Sequence, residues 1–260
     1  LFSTLFGSDR LTRTIAKIEM WSIGFADLTF TVTEQHRQTY LDRGADADRL
    51  RVVVNSTPTS ALSPPGRKSI HDNDGGPIRV IYPGTIEPRW GHDCILQAFA
   101  KAVEEVPELR LVITGEGTHV DEMLALIDEL KLAEVVSYEG WVSLDRLQEL
   151  FSEADMGISA QQASTYSHLV HTGKMYEYMM FGIPCISSRL DATVAYFGED
   201  VITYFEPDDS DDLARSIIKL AMDPERRRIQ SEEASKAFAP YHWDVQSQIY
   251  LGALDALLQP

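Results

Sequence analysis

The sequence predicts an α/β protein built on a doubly wound parallel sheet, and three features carry that expectation. From Ile78 onward, strand-like runs rich in Val, Ile and Leu alternate with amphipathic helical segments. The strand-like runs are apolar throughout, and glycine-bearing turns follow several of them. Alternating strands and helices specify βαβ units with right-handed crossovers, and strands apolar on both faces need a helical layer on each side. Such a sheet takes its ligand beyond the carboxyl ends of the strands, where the strand order reverses. Site residues are therefore expected in the turns just after strands.

The elements follow in order. The chain opens at Leu1 without an initiator Met and reads as starting in mid-domain, with an amphipathic helix over about 8–25, a strand over 28–32, a helix over 34–43 stopped by Gly44, and a strand over 50–54. Two strands are too few for a sheet covered on both faces, so residues 1–55 are expected to be the end of a domain that is mostly missing, or to dock on the next one. Residues 56–76 are rich in Pro, Ser, Gly and Asp, including Pro64-Pro65-Gly66 and Asp72-Asn73-Asp74-Gly75-Gly76, a composition that marks a linker. The main domain, 77–240, then runs strand 78–82, helix 92–106, strand 109–114, helix 120–130, strand 135–138, helix 144–154 and strand 156–159. It continues with a helix carrying Lys174, strands 184–187 and 201–205, and helices 211–221 and 224–238. A last helix, within 241–260, has an apolar face of Ile249, Tyr250, Leu254, Leu257 and Leu258 that needs a partner.

Composition narrows the function. The chain has 260 residues, 44% hydrophobic and 24% charged, which suits one large or two ordinary globular domains. A net charge of −17 argues against a nucleic-acid partner, which requires clustered Lys and Arg. Any anion must be held locally. Cys94 and Cys185 lack metal-type or redox-type spacing and read as reduced core residues. No apolar run approaches the ~20 residues that span a bilayer, and no signal-like start is present, so a soluble, cytoplasmic protein is expected.

The most informative run is Thr172-Gly173-Lys174-Met175-Tyr176-Glu177-Tyr178-Met179-Met180-Phe181-Gly182-Ile183-Pro184-Cys185, which reads as loop, short helix, glycine stop and buried strand. Lys174 and Glu177 share a helix face, while Met175, Tyr178 and Met179 form the inward stripe. A cation in a helix's first turn, beside free N–H groups, suits a phosphate. Glu177, one turn deeper, is placed to accept hydrogen bonds from sugar hydroxyls. The alternative is an exposed ion pair worth roughly 0.2–0.5 kcal/mol. This run resembles the PxKxxEYMxxGxPV segment of retaining GT-B glycosyltransferases, the group 1 or family 4 type, with departures at Thr172 and Cys185. The resemblance implies a Rossmann-like GT-B C-terminal domain that binds a nucleotide-sugar donor. In that family the lysine neighbours the donor phosphates and the glutamate holds the ribose. The stretch FAD, TVTE, RG and RLRVVVNS looks like the close of the acceptor domain, whose remainder is mostly missing here, and the last helix of relatives crosses back onto it.

Other turns agree in order. In Pro83-Gly84-Thr85-Ile86-Glu87-Pro88-Arg89-Trp90-Gly91, Gly84 permits a tight turn and Arg89 supplies a charged fork. The family's usual arginine and lysine positions here are Thr85 and Trp90. The loop resembles instead a subgroup reading GTxxxRYG, which moves the phosphate role to Arg89; a plain connecting turn is the alternative. Thr114-Gly115-Glu116-Gly117 matches the family's GxG turn. In Glu139-Gly140-Trp141-Val142-Ser143 the backbone of relatives reads the base, which makes Trp141 and Val142 donor-binding candidates. Residues 160–173 would cover the donor sugar. The family's second glutamate falls at Leu169, so sugar contacts pass to the backbone at His171, Thr172 and Gly173. His168 and His171 have a spacing metal ligands use, but no neighbouring set completes a site. Asp209-Ser210-Asp211 reads as a helix cap.

Taken together, the resemblance implies a retaining glycosyltransferase needing no metal or cofactor, with a nucleotide-diphosphate sugar as co-substrate and Arg89 and Lys174 stabilising the leaving group. Its acceptor would be a glycan, a lipid-linked molecule or a small molecule, and its site would be completed by the missing acceptor domain or a partner chain. Alone, this fragment is expected to be weakly active at most. Many relatives work at the inner membrane face, so peripheral association belongs to the same expectation. Two rivals share these residues: a nucleotide-sugar epimerase of GT-B fold and a non-catalytic nucleotide-sugar-binding partner subunit.

Overall fold

The computed structural model describes residues 9–58, 60–62 and 76–258, so the chain's opening and most of the proline- and glycine-rich stretch lie outside the described residues. The first piece comprises α1 (Asp9–Phe25), β1 (Thr29–Thr31), α2 (Glu34–Asp42) and β2 (Leu50–Val52). Thr33 caps α2 because its hydroxyl accepts the His36 N–H at 3.1 Å. β1 and β2 pair in parallel as a two-stranded sheet over a small core of Ile23, Tyr40 and Leu50. Both strands are shorter than the sequence predicts. Val53 N–H still reaches Thr31 O at 2.9 Å, but the next N–H, from Val54, turns to the side chain of Gln246.

The second piece runs β3 (Ile78–Pro83), α3 (His92–Glu105), β4 (Leu109–Thr114), α4 (Val120–Glu129), β5 (Val136–Tyr138), α5 (Leu144–Glu153), β6 (Met156–Ser159), α6 (Gly173–Phe181) and β7 (Cys185–Ser188). It closes with α7 (Asp191–Tyr196), β8 (Ile202–Phe205), α8 (Ser210–Met222), α9 (Pro224–Phe238) and α10 (Trp243–Leu258). β3 to β8 form one six-stranded sheet, parallel at every pairing, in the order β5-β4-β3-β6-β7-β8. The chain winds outward from β3 to β5, then returns to the other side of β3 with β6. The reversal therefore falls between β3 and β6, and the ends of these two strands are where a ligand crevice forms.

Side-chain alternation along the strands builds two cores. Val80, Tyr82, Ile158 and Ile186 face α3, α4 and α8, whose Phe99, Met123 and Ile217 complete one layer. Ile81, Cys185 and Ile202 face α5, α6 and α9, whose Phe151, Met179 and Phe238 complete the other. Full burial of side chains of this kind stabilises the fold by about 1.5–3 kcal/mol each. Cys185 is buried and Cys94 partly so, and both are free thiols. The Asp209 carboxylate accepts the N–H groups of Asp211 and Asp212 at 2.9 Å each, so the Asp-Ser-Asp motif is a helix cap.

One helix, α7, was not expected from the sequence. It is a six-residue helix containing Thr193 and Val194, and no side chain caps it. Short helices with β-branched residues are marginal alone. Here tertiary contacts hold it: Ala192 N–H bonds His168 O at 3.1 Å, and the Tyr196 hydroxyl accepts Glu34 N–H at 2.9 Å. α10 returns to the first piece, where Gln246 Oε1 accepts Val54 N–H at 2.7 Å and the Tyr250 ring lies 4.8 Å from that of Phe30. Leu251, Leu257 and Leu258 remain exposed.

Candidate functional site: a cleft at the strand-order reversal

A cavity of about 590 Å³ opens at the carboxyl ends of β3 and β6. The turns after the strands form its floor: Gly84 and Thr85 after β3, Gly115 after β4, Trp141 and Val142 after β5, and Gln161 after β6. His171, Thr172, Gly173, Lys174 and Glu177 also line it, together with Val32 and Thr33 of the first piece and Val54 and Asn55 just after β2. Thr33 also donates from its hydroxyl to Leu169 O, tying the two pieces together across the cleft.

The floor is a set of interlocked turns. Gly84 N–H bonds Thr114 O at 3.0 Å, and Gly115 N–H bonds Gly140 O at 2.7 Å. Gly84 and Gly115 sit at φ +126° and +123°, a region that side-chain-bearing residues avoid. A Cβ on Gly115 would lie 1.8 Å from Gly84 O, so the turns close on each other only because that atom is missing. Gly117 packs in the same way against Ile86 O and lies outside the cavity lining.

Lys174 stands in the first turn of α6, whose cap residue, Thr172, spends its hydroxyl on Ser159 Oγ at 3.0 Å, so no side chain caps the helix. The Lys174 ammonium lies 3.7 Å from the Tyr82 ring centroid and 5.3 Å from that of Trp90. Among the described residues it has no ion-pair partner within 4 Å. Burial lowers its pKa to about 7, against the opposing pull of the Glu177 carboxylate. Beneath it, among the described residues, Tyr82 Oη and Trp90 Nε1 are buried without hydrogen-bond partners. Burial, reinforced by the Lys174 charge, lowers His92 to about 4, so this ring is neutral at pH 7.

Glu177 is partly buried one turn below and does not pair with Lys174. Its Oε1 accepts instead from Thr57 Oγ1 at 2.9 Å. Burial raises its pKa, while the Thr57 hydrogen bond and the Lys174 charge hold it down. The surface ion pair that the spacing alone allows is therefore not formed.

The remaining candidates are placed as follows. His171 Nδ1 lies 2.8 Å from Tyr176 Oη, its ring stacks among Tyr176, Tyr196 and Phe197, and burial lowers its pKa to about 4. His168 turns away to Asp191, 3.1 Å distant. Trp141 stands 71% exposed at the rim. Arg89 is exposed outside the cavity lining, with its guanidinium carbon 5.3 Å from the Trp90 ring, so Arg89 and Lys174 reach the same indole. Sequence reasoning missed Tyr82, which reads only as the end of a buried strand, and Thr57, which sits in a segment read as linker. Neither carries a local signal, because each acts on a residue far away in the chain. Among the described residues no group of three or more His, Cys, Asp or Glu side chains is arranged to hold a metal ion.

An open parallel sheet with interlocked glycine turns and a lysine-headed helix at its switch point defines a Rossmann-like GT-B domain. The chain belongs to the glycosyl transferases group 1 family, whose sequence model matches residues 67–237. It is 26% identical over 223 residues to an exopolysaccharide phosphotransferase of Streptomyces coelicolor, a match covering 84% of this chain and 22% of that protein. It is 25% identical over 263 residues to a D-inositol 3-phosphate glycosyltransferase of Thermomonospora curvata, covering 92% of this chain and 60% of that one. Among solved structures, Anabaena HepE in complex with UDP-glucose matches with a TM-score of 0.75 at 17% identity, covering 89% of this chain and 64% of the other. A sucrose-phosphate synthase of Thermosynechococcus elongatus matches with a TM-score of 0.75 at 20% identity, covering 96% and 63%. These structural likenesses show the fold. The chain spans less than two thirds of the length of each of these proteins. Among the described residues, no helix is long and apolar enough to cross a membrane.

Proposed function

We propose that this chain carries the donor site of a glycosyltransferase that moves a sugar from a nucleotide-diphosphate sugar to an acceptor hydroxyl with retention. The observation that carries the reading is the position of Lys174. An ammonium without an ion-pair partner among the described residues, at an uncapped helix N-terminus, faces the cleft that opens where the strand order reverses. A diphosphate there would receive the Lys174 charge and the first N–H groups of α6, with Arg89 closing over it from the Trp90 side. Glu177, one turn deeper, would accept from the ribose hydroxyls, and the backbone at His171, Thr172 and Gly173 would hold the sugar. In this reading helix dipole and basic side chains neutralise the leaving group and no metal is called upon. That nucleotide complexes are known for similarly folded proteins, Anabaena HepE with UDP among them, supports it.

Calorimetry with UDP-, GDP- and ADP-sugars tests the assignment. The expected result is weak binding of at least one donor, abolished by Lys174→Ala, with little transfer by this chain alone. Absence of binding by all three would remove the donor-site reading. Products formed from donor alone would point to epimerase chemistry instead.

Peripheral attachment to an anionic membrane face is part of the same proposal.

A further inference from the structure

Glu177 is oriented by a residue from outside its own domain. The hydroxyl of Thr57 donates to Glu177 Oε1 at 2.9 Å, across 120 residues of sequence. Thr57 itself belongs to a strap that is fastened at its near end. Val53 N–H is tied to Thr31 O at 2.9 Å, and the buried Val54 side chain packs in the core layer that contains Met175 and Met179 of α6. Val54 N–H is received by Gln246 Oε1 at 2.7 Å. Gln246 is only 4% exposed, and its Nε2 donates to Pro240 O at 2.8 Å, so both ends of the amide are engaged and its orientation is fixed. Ser56 N–H closes onto Val54 O at 3.1 Å, leaving Thr57 presented to α6.

We infer that Thr57 is the positioning residue that sets Glu177 to read the nucleotide ribose, and that the last helix fixes Thr57 through Gln246. The inference rests on the donor-site reading above. A carboxylate in a partly buried wall needs a donor to hold one rotamer. The Thr57 hydroxyl occupies Oε1 and favours the ionised, acceptor-only form. That leaves Oε2 and the remaining lone pairs for the vicinal diol of a ribose. Asn55 of the same strap lines the cleft, so the strap that aims Glu177 is also part of the wall the nucleotide touches. Without Thr57 the carboxylate loses the donor that holds its rotamer, which would weaken ribose recognition while leaving the phosphate end, held by Lys174 and the head of α6, in place.

The test compares UDP, GDP and ADP with their 2′-deoxy counterparts, and inorganic pyrophosphate, in wild type, Thr57→Val, Thr57→Ser and Gln246→Leu. A hydrogen bond to a charged group predicts that wild type prefers the ribonucleotide by about tenfold or more. Thr57→Val is expected to cut that preference to about twofold, Thr57→Ser to keep it, and Gln246→Leu to lower it, with pyrophosphate affinity unchanged in all. Wild type binding a nucleotide with no ribose preference, or binding none of them, would overturn the ribose reading and this inference with it. A wild-type preference that survives in Thr57→Val would overturn this inference alone. Pyrophosphate affinity falling in step with the preference would show a general loss of the cleft and would also overturn it. An unchanged preference in Gln246→Leu would sever the last helix from the relay.

Discussion

Donor binding to this cleft is expected to take up a proton, because the ammonium that would meet the diphosphate is only partly charged beforehand. Burial lowers Lys174 to about 7 from an ordinary 10.5. At pH 8 the empty cleft therefore holds roughly a tenth of its Lys174 charged. A diphosphate within contact distance favours the charged form and restores the proton. The expected uptake is close to one proton per donor at pH 8 to 9 and about half at pH 7. Apparent affinity should be flat below pH 7 and fall about tenfold per pH unit above it. The same group acts on folding. Its folded pKa lies below its unfolded one, so between about 7 and 10.5 the unfolded chain binds more protons, and the stability contribution rises with pH through that window. The cost is fully present below pH 7. The difference, 10.5 less about 7, corresponds to about 5 kcal/mol if undiminished. Water reaching the partly exposed side chain reduces this, and Lys174→Met is expected to stabilise the empty protein by about 1–3 kcal/mol at pH 7 while abolishing donor binding. Calorimetry in buffers of different ionisation enthalpy measures the proton directly. A binding enthalpy independent of buffer from pH 7 to 9, together with a methionine variant no more stable than wild type, would refute the reasoning.

Two further outcomes are expected. Gly115→Ala places a methyl carbon 1.8 Å from Gly84 O at φ +123°. Backbone must move, so thermal unfolding should show a loss of at least about 2 kcal/mol, and nucleotide binding should be lost with the floor of the cleft. For peripheral attachment, vesicle flotation should find this chain on vesicles containing phosphatidylglycerol but not on neutral phosphatidylcholine, with release at high salt. Equal behaviour on both vesicle types, or a dimer with no vesicle binding, would exclude the membrane assignment.

Most of the fold was legible because it is written locally. The apolar strands from Ile78 to Phe205 and the helices between them follow from hydrophobic period and turn residues, and their boundaries fell within a residue or two of those found. The exception, Asp191–Tyr196, lacks a cap and a strong period and exists through contacts with His168 and Glu34. The site was half legible. Lys174 and Glu177 share a helix face by spacing alone, and Gly84 and Gly115 follow strands, so their side of the sheet was fixed by topology. That Arg89 would stand exposed beyond the cavity lining was not visible, since a guanidinium in a turn has no period to place it.

The order of residues along the chain was enough to determine a parallel doubly wound sheet, the turns that come to line the cleft, and a lysine at the head of a short helix, because each depends on spacing within a few residues or on the handedness of βαβ crossovers. Tertiary structure alone decided that Lys174 lies over Tyr82 with its charge suppressed, that Gly84 and Gly115 interlock, and that Glu177 answers to Thr57 instead of Lys174. Those outcomes depend on desolvation and on contacts between segments far apart in sequence. Such quantities exist only once the chain has closed around them.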